Sequence, residues 1–403
     1  MMMIRGALVY SSAFQFEQKN ILIDDGLISG IWSEMEISFD QICNSISKEI
    51  EVIDGTGMLV IPGLVDIHLH GAVGCDFCDA TANSINKIRE YEASVGVTSI
   101  CPTTMSLSED RLIEICEEIG KSVGDVHDIG HDGSYVNFSD ILGINLEGPF
   151  INLSRAGAQN PEYIMNPDKD MFRRLQKASG DSILLVDMAP ELPGATEFID
   201  EVTSETANKL AVHVSIAHTD ADYDTTIAAC EAGADHITHL YNAMPSMDKR
   251  NPGPIPAARE HGAYAELIAD GVHVHPSMVR LAWDMYGDDR IVLISDSMEA
   301  TGLDDGKYKL GGQDVIVRGN RARLDSGVIA GSVTNLYECM KTAVIEAGIP
   351  VESAVRAATY NPAASIGMED RCGVIEAGRV ADLLIIDKYF ELQHVVKRGV
   401  FIK

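Results

Sequence analysis

Positive charge is what this chain lacks most. Against 61 aspartates and glutamates it carries 31 lysines and arginines, a formal net charge of -30 at pH 7. A surface with that balance repels phosphate backbones, which argues against nucleic acid as a partner; an anionic substrate would need a local cation to draw it in. Long apolar runs are missing too. No segment approaches the ~18 uninterrupted apolar residues of a membrane span, so no membrane partner is expected. Residues 1–12 hold one arginine and a brief apolar stretch, fitting neither a signal nor a transit peptide, and a cytoplasmic location is the expectation. The eight cysteines are scattered, as reduced thiols are, rather than arranged as a disulfide framework. Cys75 and Cys78 form the only Cys-x-x-Cys, without the second pair of a structural zinc site.

What is present is a 403-residue chain, 46% apolar and 23% charged, long enough for a large core. Its two ends share a texture of short strands. Ile4–Tyr10, Lys19–Asp24, Leu27–Trp32 and Glu51–Asp54 open the chain; Gly378–Asp387, Leu392–Lys397 and Val400–Lys403 close it. Neither end supplies enough strands for a sheet of its own, so one small β-sandwich domain built from residues 1–61 and 373–403 is predicted. The middle, residues 62–372, alternates apolar β-branched runs with amphipathic stretches such as Ser84–Ser94, Glu109–Ile119, Asp222–Ala232 and Pro276–Met285. Eight such runs occur: Leu64–His70, Val97–Pro102, Ile141–Glu147, Ile183–Ala189, Leu210–His218, His236–Leu240, Tyr264–Ala269 and Ile291–Asp296. That alternation predicts an α/β fold, a (β/α)8 TIM barrel, with Lys121–Asp140 as a surface insertion.

The chemistry of such a barrel sits at the C-terminal ends of its strands. Those ends carry His68 and His70, Glu147, His218, His239 and Asp296. His68 and His70 share a strand face, where two neutral imidazoles can converge on zinc or iron. Gly71 follows at once, where backbone or ligand must approach closely. Glu147 leaves an apolar strand, an expensive place for a carboxylate without a compensating cation. Any one of these residues could be a cap or a loop residue. Six of them at strand ends point together to one metal site. His273, beyond the seventh strand, is read as facing the substrate. His275 is read as opening the next helix, His213 and His236 as structural, and His127, His131, His261 and His394 as loop or surface residues.

The runs Pro62–Gly71, Leu146–Phe150, Ala217–Thr219, Thr238–Met244, Ile268–His273 and Ser295-Asp296, with Ala330-Gly331-Ser332 and Gly378–Asp387, resemble the N-acetylglucosamine-6-phosphate deacetylases of the amidohydrolase superfamily. The resemblance implies a divalent metal, zinc or iron, held by Glu147, His218 and His239, with His68 and His70 available for a second ion. It makes Asp296 the acid/base, and it assigns the sugar phosphate to Asn242, the Ala243 backbone and Arg250, the last reaching in from a neighbouring subunit of a homodimer. The substrate it implies is a small amino-sugar phosphate. One position departs from the pattern. Gln159 stands in Gly157-Ala158-Gln159-Asn160-Pro161 where the family has a histidine beside the acetyl carbonyl, and an amide can donate a hydrogen bond but cannot become cationic. Three other readings compete. A dihydroorotase-like site would need a lysine at the fourth strand end, where Leu185–Glu191 has none. The galacto epimer of the substrate is the second, and a non-catalytic scaffold the third.

Overall fold

The protein is described by a computed structural model covering residues 1–38, 41–42, 46, 49–124, 136–204 and 211–403. His127, His131, most of the Lys121–Asp140 insertion and Leu210 lie outside the described residues. Both chain ends enter one eight-stranded sheet. Its order is Val400–Phe401, Leu392–Lys397, Leu383–Ile386, Leu59–Pro62, Met2–Tyr10, Phe16–Asp24 and Leu27–Trp32, with Glu51–Asp54 paired beside the start of Met2–Tyr10. The sheet folds over its own apolar core, where Ile4, Ile21, Ile28, Val60, Leu383 and Val396 pack together. Leu27 bridges back to Val380, so the two chain ends meet on both sides of that core.

The middle forms eight parallel barrel strands. They are Leu64–Leu69, Val97–Pro102, the pair Asp140–Ile141 and Ile144–Glu147, Ile183–Met188, His213–Ile216, His236–Ile237, Tyr264–Leu267 and Ile291–Leu293. Their residues are almost all buried, as expected for strands covered on both faces. The Asp296 N–H donates to the His68 carbonyl at 2.9 Å and the His70 N–H to the Ser297 carbonyl at 2.8 Å, closing strand 8 onto strand 1. A helix follows each of the first seven strands; the Tyr223–Glu231 helix, for one, is capped by the Asp222 side chain accepting from the Thr225 N–H. Pro62-Gly63 is the passage from sheet to barrel. A Cβ on Gly63 would lie 2.1 Å from Thr98 Oγ1 of strand 2, so no side chain fits where the chain crosses over.

Three features depart from the sequence expectation. The third strand is broken at Leu142-Gly143, where a Gly143 Cβ would meet Leu184 Cγ at 2.4 Å. Strands 5 to 8 end two or three residues early, so His218, His239 and Asp296 sit on turns rather than in strands. After strand 8 the chain inserts an antiparallel three-stranded sheet, Gly306–Leu310, Gln313–Arg318 and Arg321–Leu324, before the helices that complete the barrel. No helix among the described residues is long and apolar enough to cross a membrane.

Candidate active site

Four imidazoles and two carboxylates meet at the C-terminal mouth of the barrel. His218, His239 and Asp296 all adopt left-handed backbone angles, with φ of 44°, 31° and 50°. Such angles are costly away from glycine and cluster where a site fixes its side chains. The turn that follows each strand thereby swings the side chain back over the barrel axis. At the first strand the alternation is broken instead: pairing shifts register between Asp66 and Leu69, and His68 and His70 both face the mouth. Asp66 does not. Its carboxyl accepts from the His68 and Ser295 backbone N–H groups, and burial pushes it up to about 7. Gly71 leaves room for the closing turn, since a Cβ there would lie 2.2 Å from the Cys75 carbonyl oxygen.

Glu147 is the hub and is 3% exposed. Its Oε1 lies 3.2 Å from His218 Nε2, 3.3 Å from His239 Nε2 and 3.6 Å from His68 Nε2; its Oε2 lies 3.4 Å from His70 Nε2. Asp296 Oδ1 completes the ring, 3.3 Å from His70 Nε2 and 3.8 Å from His68 Nε2. The outer ring nitrogens fix the tautomers. His218 Nδ1 donates to the Arg155 carbonyl at 2.7 Å, His68 Nδ1 to Glu266 Oε2 at 3.1 Å and His70 Nδ1 to the Thr103 carbonyl at 3.3 Å. Held from behind in this way, the rings turn their Nε2 atoms toward one another and toward carboxylate oxygens. His218 and His239 Nε2 are 3.1 Å apart, and the buried His68 Nε2 has no hydrogen-bond partner.

Electrostatics make the same demand for positive charge. Burial pushes the His68 ring down, but Glu147, Glu266 and Asp187 outweigh it and hold the ring well above its ordinary value. Burial would raise Glu147, yet the charges on His68 and His70 and the bonds from His218 and His239 hold it well below the usual range. Two groups of three side chains could hold a cation, Glu147–His218–His239 and His68–His70–Glu147, each with its donor atoms within 4.8 Å of one another. Imidazole and carboxylate donors of this kind fit a divalent metal.

Four more sequence candidates, Gln159, Asn242, Ala243 and His273, line the same cavity of about 370 Å³. His273 Nδ1 donates to Asp270 Oδ2 at 2.8 Å, which leaves Nε2 for a ligand. Asn242 spends its Nδ2 on the His239 and Leu240 carbonyls. Gln159 turns its amide to Glu147 and to the Ser106 N–H, each at 2.6 Å. Arg250 is exposed on the loop after Met244 and does not line the cavity of its own chain. His275 caps the Pro276–Tyr286 helix, accepting from the Ser277 N–H.

Sequence reasoning missed the layer behind the ligands. Glu266 and Asp187 are fully buried in strands 7 and 4 and face His68 at 3.1 and 3.6 Å. Burial and the Glu266 charge hold Asp187 well above the usual carboxylate range, leaving Glu266 as the acceptor that orients His68. A carboxylate inside an otherwise apolar strand was the available signal. Also missed were Leu310 within the strand 8 insertion and Val328, Ile329 and Gly331 after it, which wall the mouth.

Residues 122–402 match the amidohydrolase family. The chain is 34% identical over 378 residues to the N-acetylglucosamine-6-phosphate deacetylase of Bacillus subtilis, an alignment covering 94% of this chain and 91% of that one.

The chain belongs to the amidohydrolase family.

It is therefore a hydrolytic enzyme; its family implies a divalent metal, and the barrel mouth carries histidine and glutamate groups that could bind one. A solved structure of a mutant N-acetyl-D-glucosamine-6-phosphate deacetylase from Mycobacterium smegmatis, in complex with N-acetyl-D-glucosamine 6-phosphate, superposes with a TM-score of 0.87 at 29% identity, covering 99% of this chain and 98% of that one. An N-acetylgalactosamine-6-phosphate deacetylase from Escherichia coli is 30% identical over 351 residues, covering 87% of this chain and 89% of that one.

A third histidine–carboxylate group lies at the opposite end of the barrel. His213 and His236, at the starts of strands 5 and 6, bond the two oxygens of Asp235 at 2.7 and 2.8 Å. Burial pushes the Asp235 carboxyl up, but the His236 charge and both ring hydrogen bonds outweigh it and hold it well below the usual carboxylate range. A lowered folded value means stability that is present above the unfolded value and lost as pH falls through the folded one. Asp235→Asn is expected to lower the thermal midpoint at pH 7 and to flatten the acid side of the stability curve below about pH 4. Melting curves from pH 3 to 7 check this; identical curves for variant and wild type would remove the tie.

Proposed function

We propose that this amidohydrolase cleaves the acetamide of N-acetylglucosamine 6-phosphate to glucosamine 6-phosphate and acetate, a cytoplasmic step of amino-sugar catabolism. The observation that carries the reading is the convergence of Glu147, His218 and His239 with His68, His70 and Asp296 at one barrel mouth, all but His68 lining a single cavity. The names of the relatives supply the substrate class. On this reading residues 62–372 are the catalytic barrel and residues 1–61 with 373–403 its companion β domain.

Glu147, His218 and His239 would hold a zinc or iron ion, with His68 and His70 able to hold a second. A cation held there would supply Lewis-acid chemistry, lowering the pKa of a water to about 7 and polarising the acetyl carbonyl. Asp296 takes the proton from the attacking water and delivers it to the departing amine. His273, oriented by Asp270, binds the sugar, and Asn242 with the Ala243 backbone receives the phosphate. Arg250 completes that phosphate site from the neighbouring subunit of a homodimer, since its planar fork suits a phosphate and its own cavity does not reach it.

Acetate release by metal-loaded protein tests the reading, with N-acetylglucosamine 6-phosphate run beside its galacto epimer and the unphosphorylated sugar. Turnover of the gluco phosphate well above the other two supports it, and a preference for the galacto phosphate replaces the substrate. Arg250→Ala is expected to raise KM for the phosphorylated sugar by about 10- to 100-fold with little change in kcat, the worth of a charge-assisted bond. Mixing Arg250→Ala with Asp296→Asn subunits should restore activity, because one mixed site then has both residues intact. No rescue would mean that Arg250 does not act across subunits.

A further inference from the structure

The two oxygens of Glu147 have different neighbours. Oε1 faces three imidazole nitrogens and no N–H donor from the amide side, whereas Oε2 accepts the Gln159 Nε2–H at 2.6 Å. That amide cannot turn over. Its Oε1 accepts the Ser106 N–H at 2.6 Å, so a flip would set donor against donor at one end and carbonyl against carboxylate at the other. Nor can the side chain swing away, for it is 3% exposed and its own N–H is bonded to the Ala156 carbonyl at 2.9 Å.

The consequence falls unequally on the two metal-binding triads. An ion between Glu147, His218 and His239 uses Oε1, which the amide leaves open. For an ion beside His70 the carboxylate oxygen at hand is Oε2, 3.4 Å from its Nε2, and that oxygen is already engaged by the positive end of an N–H dipole. We infer that Gln159 is a positioning residue for Glu147: by holding Oε2 it presents Oε1 to a single ion at Glu147–His218–His239 and weakens binding at His68–His70. The inference rests on the metal-holding role proposed above for this cluster. It gives Gln159 a task at the carboxylate rather than at the acetyl carbonyl.

Metal content tests it without reference to turnover. Wild type, Gln159→Met and Gln159→Ala are loaded with zinc, desalted and analysed for zinc per chain, and the affinity of the second equivalent is read by competition with a chelating dye. Wild type is expected to keep one ion per chain and both variants two, with the second equivalent bound about 10- to 100-fold more tightly than in wild type, the range for one hydrogen bond to a charged group. Damage to the fold would lower metal content, whereas the inference requires it to rise. Two ions in wild type, the same content in all three proteins, or metal-free variants would each overturn it. Glu147→Ala separates the layers: if that variant keeps as much zinc as wild type, the ligand assignment itself has failed.

Discussion

Asp296→Asn is expected to reduce kcat by about 10²- to 10⁴-fold, the usual worth of a positioned general acid/base, while leaving metal content within error of wild type. The substitution is nearly isosteric, and the backbone that places this side chain does not depend on the carboxylate. The Asp296 N–H donates to the His68 carbonyl at 2.9 Å, its carbonyl accepts from the Ser332 N–H at 2.7 Å, and φ is 50°, an angle that asparagine tolerates well. What changes is the chemistry of Oδ1, 3.3 Å from His70 Nε2. An amide cannot accept the proton of an attacking water or return it to a leaving nitrogen. Because ground-state contacts are kept, KM should move little and the loss should sit in kcat. Steady-state acetate release with metal analysis of the same sample decides it. Turnover above about a tenth of wild type with metal content intact would remove Asp296 from the proton path.

The parts of the site legible in the sequence are those whose signal is local. His68 and His70 two residues apart, Glu147 at the exit of Ile144-Asn145-Leu146, and His218, His239 and Asp296 past apolar runs all mark the same end of successive strands, and alternation with helices puts those ends together. What stayed hidden depends on contacts distant in sequence. Glu266 is 198 positions from His68, and only closure of the barrel shows that it orients that ring. Asp66 illustrates the limit of a period-2 reading: one register shift in the first strand takes it out of the face that holds His68 and His70. The antiparallel insertion at Gly306–Leu324 has ordinary strand residues, and nothing local says that its sequel at Val328 and Ile329 walls the cavity. Gln159 is the sharpest case. Its residue type was readable as a departure, but its partners, Glu147 and Ser106, come from the end of the third strand and the loop after the second.

Glu147→Ala is expected to have the larger effect, removing bound metal and taking activity to background. Five groups depend on this one carboxylate, three imidazoles at Oε1, and His70 and Gln159 at Oε2. Without it His218 and His239 keep their bare Nε2 atoms 3.1 Å apart but lose the only anion common to both triads. Two neutral imidazoles bind a divalent cation far more weakly than two imidazoles with a carboxylate, because nothing offsets the cost of taking the ion out of water into a buried site. The stability readout follows by linkage. A ligand held at 1,000 times its Kd adds about 4 kcal/mol to the folded state, so chelation should lower the melting temperature of wild type and leave Glu147→Ala where it was. The variant should therefore melt close to chelated wild type rather than to the loaded enzyme. A Glu147→Ala protein that retains stoichiometric metal and still loses stability on chelation would show that the ion is held by other groups, and the ligand set drawn from the barrel mouth would have to be abandoned.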